Sequence, residues 1–508
     1  MQGIVIAGTH SGCGKTTVTL GILAALRKMG VKAQSFKAGP DFIDSGLHRT
    51  ITDRQARNLD IWMCGEDYVR DCFYKYSMGA DISIVEGVMG MYDGEHSTAE
   101  LASILGLPVI LVVDAYGMAE SAGAVVAGFR DWGLGIGMKG KNTNPQPLTP
   151  NPLIVGVIFS RVASKKHYER LKNSVHDVQV LGYLPRDINF EIPHRHLGLT
   201  VAEENPITEE NIDKLADAVL EHIDVEWICN CGMRNISIAD CEMRIAESKS
   251  EIRNPKSKIK IAVAYDRTFC FYYEDNLDLL RYAGAEITTF SPLRDTKIPD
   301  NVDALYIGGG YPELYAKELS GNTPMLKSIK EWADSGRPLY AECGGLMYLS
   351  EGIHDFSGNF FKMVGLFPFE TQMKKGNVHL GYREIELNDD CIIGKKGDRL
   401  RGHEFHYSEI TNGADEQTSR RAEVTSELSM AYSLKNNSGE SLPDEGYRYK
   451  NALASYVHLH FGSNSGIAQN FIRFIQECHS RANGNPVSCE KTWIPAQQIA
   501  GMTEQREK

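Results

Sequence analysis

The chain has 508 residues, 42% hydrophobic and 24% charged, an ordinary balance for a soluble globular protein that excludes wholesale disorder. At roughly 150 residues per domain it should hold about two to four domains, because single cores stop growing near ~250–300 residues. Its 54 basic and 66 acidic side chains leave a net charge of −12, which argues against a non-specific nucleic-acid binder and a basic membrane-surface protein.

The N-terminal run Met1–Ala7 is apolar but meets a glycine loop at Gly8. It lacks the basic start and long apolar stretch of a secretory signal, and no later stretch reaches the ~20 apolar residues of a membrane span. Gly3–Ala7, Ile82–Val85, Val109–Val113 and Ile154–Ile158 are β-branched runs bounded by Gly, Pro or Asp, the pattern of buried parallel strands. Helical stretches such as Thr17–Met29 and Ser97–Leu105 lie between them, so a doubly wound α/β domain is expected over residues 1–235. The Pro/Asn-rich 139–152 reads as a surface loop and is given no chemistry. The eleven cysteines are scattered and odd in number, which speaks for a reducing cytoplasm rather than a disulfide framework. Cys229, Cys231 and Cys241 cluster without a second ligand pair at zinc spacing, and read as ordinary thiols. Residues 236–257 are charged and poor in large apolar groups, a linker. A second α/β domain is expected over 258–480, from the strand opening at Ile259 through Ala304–Ile307 and Pro338–Ala341, and residues 481–508 read as a polar tail.

GTHSGCGKTT (Gly8–Thr17) follows the first strand and opens a helix. Glycines let backbone N–H groups curl round a polyphosphate, and the helix N-terminus adds positive potential. Lys15 would reach the outer phosphates and Thr16 would ligate Mg²⁺, although Thr9 stands where the strict P-loop spacing has its first glycine. Two acidic runs follow strands, KAGPDFID (Lys37–Asp44) and EGVMGMYDG (Glu86–Gly94). Asp41, Asp44, Glu86 and Asp93 thus lie where a parallel sheet makes its ligand crevice, suited to hold Mg²⁺ or orient a substrate. Singly, each reads better as a solvated turn carboxylate; grouped after two strands of a nucleotide-binding domain, they favour function.

In the second half, PLYAECGGLM (Pro338–Met347) sets Cys343 between a strand and a helix. Such a turn exposes the side chain, and the helix N-terminus is expected to lower the thiol pKa. IGGGYPE (Ile307–Glu313) offers backbone donors to an oxyanion, with Gly309 and Gly310 the candidates. SYVHLHFG (Ser455–Gly462) carries His458 and His460, one of which would be the base for Cys343. Together these suggest a cysteine nucleophile attacking an amide.

Through residue 480 or so, these motifs resemble the cobyrinic acid a,c-diamide synthase family, glutamine-hydrolysing, ATP-using amidoligases of corrinoid biosynthesis. The first half is similar to that family's dethiobiotin-synthetase-like P-loop domain through GTHSGCGKTT, KAGPDFIDSGLH and VEGVMGMYDG. The second is similar to its class I glutamine amidotransferase domain through IGGGYPEL, AECGGLMYL, RGHEFHYSEI and SYVHLHFGSN. The resemblance implies Cys343 as nucleophile and His458 as its activator, a dyad without the Glu that many glutaminases carry two residues further on, where this chain has His460. It implies nucleotide binding by Gly12, Gly14, Lys15, Thr16, Thr17 and Lys37, with Thr16, Asp41 and Glu86 toward Mg²⁺. Asp41, Asp44, Glu86 and Asp93 would handle the substrate carboxylate. One departure is the short Glu95-His96 link before Ser97, which bears on a substrate lid.

The implied chemistry turns a carboxylate into an acyl phosphate with ATP, releases ammonia from glutamine through a Cys343 thioester, and joins the two. A shielded route between the halves would keep ammonia unprotonated. Implied partners are cobyrinate, L-glutamine and ATP, in the cytoplasm, with no nucleic acid or membrane; a homodimer stays open. The rival substrate is nickel-sirohydrochlorin, whose a,c-diamide synthases this chain also resembles, including at Phe269–Tyr273. Met89 and Asp93 favour the corrinoid, because Arg and Glu are expected there in the nickel branch. A non-enzymatic partition-type P-loop ATPase is the remote rival, opposed by the attached glutaminase motifs.

Overall fold

The computed structural model describes residues 2–133, 153–186, 207–231, 259–376, 378–411 and 429–482. The expected 139–152 loop, the 236–257 linker, Cys241 and the tail beyond 482 lie outside them. The chain divides into two compact units, Met1–Arg253 with Tyr272–Leu277, and Asn254–Phe271 with Asp278–Lys508. The short piece 272–277, expected in the second domain, thus belongs to the first unit. Among the described residues no helix is long and apolar enough to cross a membrane.

The first unit is built on β1 (Gly3–Gly8), β2 (Ala33–Ala38), β3 (Arg57–Leu59), β4 (Ile82–Glu86), β5 (Val109–Asp114), β6 (Ile154–Val162) and β7 (Gln179–Pro185). They form one sheet in the order β3-β2-β4-β1-β5-β6-β7, with every pair parallel. The inner strands are buried on both faces, as in GIVIAG and ISIVE, because helices cover both sides. Two cores result. Ile4, Ile6 and Ile84 pack under the helix α1 (Lys15–Lys28) on one face, and Val5, Ala7 and Val85 pack on the other. Beside β1 the strand order runs 4-2-3 one way and 5-6-7 the other, so β1 and β4 border the switch point where such sheets bind ligands.

The second unit differs from simple α/β alternation. In its parallel half the expected strands Ile259–Ala264, Ala304–Ile307 and Leu339–Glu342 are joined by two that the sequence did not single out, in the order Ala285–Phe290, Ile259–Ala264, Ala304–Ile307, Leu339–Glu342 and Ala452–Ser455. The same ten-stranded sheet continues antiparallel through Ser441–Tyr449, Met430–Asn436, His379–Leu387, Arg399–His406 and His458–Leu459. His458–Leu459 is buried and falls in the strand-like run Ser455–Gly462; the other antiparallel strands escape sequence reading because they are only half buried and carry charges, as HLGYREIEL shows. An antiparallel strand can leave one face wet and needs no continuous apolar run.

Candidate functional site

In the first unit, Gly14 caps α1 with left-handed backbone (φ 93°), turning the loop so that Lys15 begins the helix. Lys15 Nζ donates to Met89 O at 2.5 Å and His10 O at 3.3 Å, which binds the P-loop to the Glu86–Gly94 run. Burial lowers this ammonium, with Lys37 adding to the effect. Thr16 Oγ1 donates to Glu86 Oε1 at 2.7 Å and lies 3.4 Å from Asp44 Oδ2. Lys37 Nζ closes the cluster, 2.5 Å from Asp44 Oδ2 and 3.0 Å from Glu86 Oε1.

Burial alone would lower Lys37 and raise Glu86, but their mutual attraction reverses both: Lys37 is held above its usual range and Glu86 well below. Asp44 is pushed well up, by burial and by Asp41 and Glu86. Asp41, expected toward Mg²⁺ and the substrate carboxylate, lies with Oδ2 3.8 Å from Lys37 Nζ. Its Oδ1 accepts from the Ile43 and Asp44 N–H groups, capping the helix Phe42–Thr52, so the carboxylate beside Thr16 and Glu86 is that of Asp44. Asp93 is exposed, and its Oδ2 accepts from Gly90 N–H at 2.9 Å. Lys37 is buried and is the counter-ion of this cluster.

The donors suit a hard cation. Thr16, Asp44 and Glu86 present oxygens at one point, and Mg²⁺ takes one or two carboxylates beside water and phosphate oxygens. Among the described residues no group of three or more His, Cys, Asp and Glu is placed to hold a metal ion. Cys229 and Cys231 are half-buried thiols in the helix Val225–Cys231.

In the second unit, Cys343 joins the strand Leu339–Glu342 to the helix Gly344–Leu349 with φ 47° and ψ −104°. That left-handed backbone is strained for a non-glycine residue, a signature of functional elbows. Its N–H donates to Ser455 O at 2.7 Å, and Sγ lies 4.0 Å from Phe405 O. The expected lowered thiol pKa is not found: burial and Glu313 push it up, against the pull of the Gly344 N–H. The reason is full enclosure, which a six-residue helix does not offset.

The glycine loop sits against this elbow. A Cβ on Gly344 would come within 3.1 Å of both Gly310 N and O, and a Cβ on Gly309 within 2.2 Å of His458 Cε1. Gly309 and Gly310, Cys343 and His458 are therefore gathered at one place. Gly309 and Gly310 also pair antiparallel with Phe271 and Phe269. His458 is buried and lowered by burial to about 3, a neutral base. His460 Nδ1 instead accepts from Gly462 N–H at 3.0 Å and caps the next turn.

Both halves match known families. Residues 4–199 match the CobQ/CobB/MinD/ParA nucleotide binding domain, and residues 260–466 match the CobB/CobQ-like glutamine amidotransferase domain. The chain is 40% identical over 485 residues to the cobyrinate a,c-diamide synthase of Caldanaerobacter subterraneus subsp. tengcongensis, covering 94% of this chain and 98% of that one. It is 41% identical over 481 residues to the enzyme of that name from Syntrophotalea carbinolica, covering 93% and 98%. The chain belongs to the cobyrinate a,c-diamide synthase family. It is thereby a ligase with glutamine as nitrogen donor, which removes the scaffold ATPase reading.

Beyond the motif residues assigned above, this family member shows two that sequence reasoning missed. His48 Nε2 meets Glu86 Oε2 at 2.7 Å with both side chains buried; it stands four residues after Asp44, on the same helix face. Glu342, the residue before the nucleophile, lies with Oε2 3.9 Å from His458 Nδ1. Its only signal was adjacency to Cys343.

Proposed function

We propose that the protein amidates the a and c acetate carboxylates of cobyrinate to the a,c-diamide, using ATP and glutamine. What carries this reading is similarity running through both halves to relatives of that name; the geometry of each half fits its share of the chemistry. In the first half Lys15 offsets charge at the outer phosphates of ATP while the carboxylate attacks the γ-phosphorus and ADP departs. Thr16, Asp44 and Glu86 would hold Mg²⁺, which when bound neutralises phosphate charge as the acyl phosphate forms. Lys37 and His48 keep Glu86 ionised and aimed. Asp41 and Asp93 order the rim that receives the substrate carboxylate.

In the second half the Cys343 thiol proton passes to His458 as sulfur bonds to the amide carbon of glutamine. Gly309 and Gly310 line the place where negative charge develops on oxygen. His458 then protonates the departing nitrogen, and water resolves the glutamyl thioester. The ammonia displaces phosphate from the acyl phosphate, and the cycle repeats on the second acetate.

Purified protein with cobyrinate, ATP, Mg²⁺ and glutamine should yield the diamide, with nickel-sirohydrochlorin as the competing substrate. Preferential turnover of the nickel compound would overturn the corrinoid reading. Cys343→Ala should lose glutamine-dependent synthesis yet retain synthesis from high external ammonia. Loss of both in a folded variant would overturn the division of labour.

A further inference from the structure

The carboxylate of Glu342 is fully enclosed, yet it accepts hydrogen bonds from three sides. Tyr340 O–H donates to Oε1 at 2.8 Å, Leu459 N–H donates to Oε1 at 3.1 Å, and Tyr306 O–H donates to Oε2 at 2.9 Å. All three donors are neutral. Among the described residues the basic side chain within 4.0 Å of this carboxylate is His458, whose Nδ1 is 3.9 Å from Oε2. A buried anion is costly. An amide has one acceptor oxygen, so it could keep the Tyr340 and Leu459 donors of Oε1 but would turn its nitrogen toward the Tyr306 hydroxyl, which can accept in its turn; hydrogen bonding alone does not explain the charge here.

Its placement does. Glu342 ends the strand that delivers Cys343, and the Leu459 N–H that it binds belongs to the strand that carries His458. One side chain thus ties the nucleophile's strand to the base's strand. The imidazole lies between two neighbours: Nδ1 faces Glu342, while the Cε1–Nε2 edge lies against Gly309 in the loop beside the elbow. His403 stacks on the ring, with centroids 5.0 Å apart. His460 holds the position where a downstream glutamate would stand, and it is committed to its own turn.

We infer that Glu342 is the positioning residue for His458, a third member of the glutaminase site supplied from the residue before the nucleophile. The inference rests on the glutaminase reading of the second half. The negative charge favours the tautomer with the proton on Nδ1, leaves Nε2 free to take the Cys343 proton, and offsets the imidazolium that then forms. The 3.9 Å separation exceeds a hydrogen bond, and catalytic contacts that are long without substrate tighten once it binds. The structural setting agrees: burial raises the Glu342 carboxyl to about 7, while its three hydrogen bonds resist that rise.

Glutamine hydrolysis by the full-length protein tests this, with wild type and Cys343→Ala bracketing the assay. Glu342→Gln keeps shape and most hydrogen bonding but removes the charge. It should lower kcat about 100-fold or more with little change in KM, and remove the limb of the pH profile near neutrality. Nitrogen-15 spectra of His458 should show the ring shifted toward the other tautomer. Glu342→Asp, with the charge kept but drawn back, should lose less and keep the limb. A folded Glu342→Gln with near-normal kcat, or one with lowered kcat but an unaltered pH profile and tautomer, would overturn the assignment. If Glu342→Gln does not fold, a folded Glu342→Asp with unchanged kcat does the same. The glutaminase reading itself fails separately, if wild type does not hydrolyse glutamine or Cys343→Ala still does.

Discussion

At residue scale, the P-loop cluster is decided by charge pairing around the buried Lys37 and Glu86. Glu86 is shared among Thr16, Lys37 and His48, so each partner's removal has its own signature. Lys37→Met would take the ammonium away from Asp44 and Glu86, leaving Glu86 with Thr16 and His48, and should cost about 3–5 kcal/mol, read by urea unfolding. His48→Leu removes a donor to an ionised carboxylate and should cost about 1.5–3 kcal/mol; His48→Gln should recover part of it. Glu86→Gln should lower amidation sharply with ammonia as well as glutamine, leaving thioester formation at Cys343 intact. A Mg²⁺ titration of the ammonia-dependent rate checks the metal role: equal rates for wild type and Glu86→Gln at every concentration would contradict it. Asp41 stands apart, because Asn caps a helix as well as Asp does. Asp41→Ala should cost about 1 kcal/mol of stability and Asp41→Asn almost none.

At the scale of elements, the elbow stores strain that a strand–helix junction can hold because both sides are packed. Cys343 has φ 47°, a conformation that costs a non-glycine residue of order 1–3 kcal/mol. Cys343→Gly and Cys343→Ala should both abolish glutamine hydrolysis, yet the glycine variant should melt higher, since glycine relieves the strain. Equal melting temperatures would mean that the turn is not strained. The glycine loop gives the complementary case. Gly309→Ala would drive a methyl into His458, so hydrolysis should fall while ammonia-dependent synthesis persists. Helix spacing made Asp44 and His48 neighbours, but the direction in which they face was set by the parallel pairing of β2 with β4.

At the scale of the molecule, the second unit buries several carboxyls whose pKa values are raised by burial: Glu313 to about 8, Glu342 to about 7 and Glu445 to about 8. Each binds its proton more tightly folded than unfolded, so the stabilising contribution is complete below about pH 4 and is lost as pH rises through 7–8. Hydrogen exchange over residues 259–482 of the intact protein should show stability falling between about pH 5 and 8, and Glu445→Gln should flatten the fall. Rising protection over that range would contradict it. The sequence by itself determined the parallel β-branched strands, the P-loop, the elbow at Cys343 and the two-part plan, because each is a local pattern of apolar period, glycine or turn chemistry. It also carried the family. Only the tertiary structure decided that Asp44 rather than Asp41 meets Thr16, that Lys37 is a buried counter-ion, that His48 holds Glu86, and that Glu342 approaches His458. These depend on strand register and burial: residues 48 and 86, or 342 and 458, are brought together by packing of distant strands and helices, and a thiol expected to be acidic is made less so by enclosure. Spacing along a chain encodes neither.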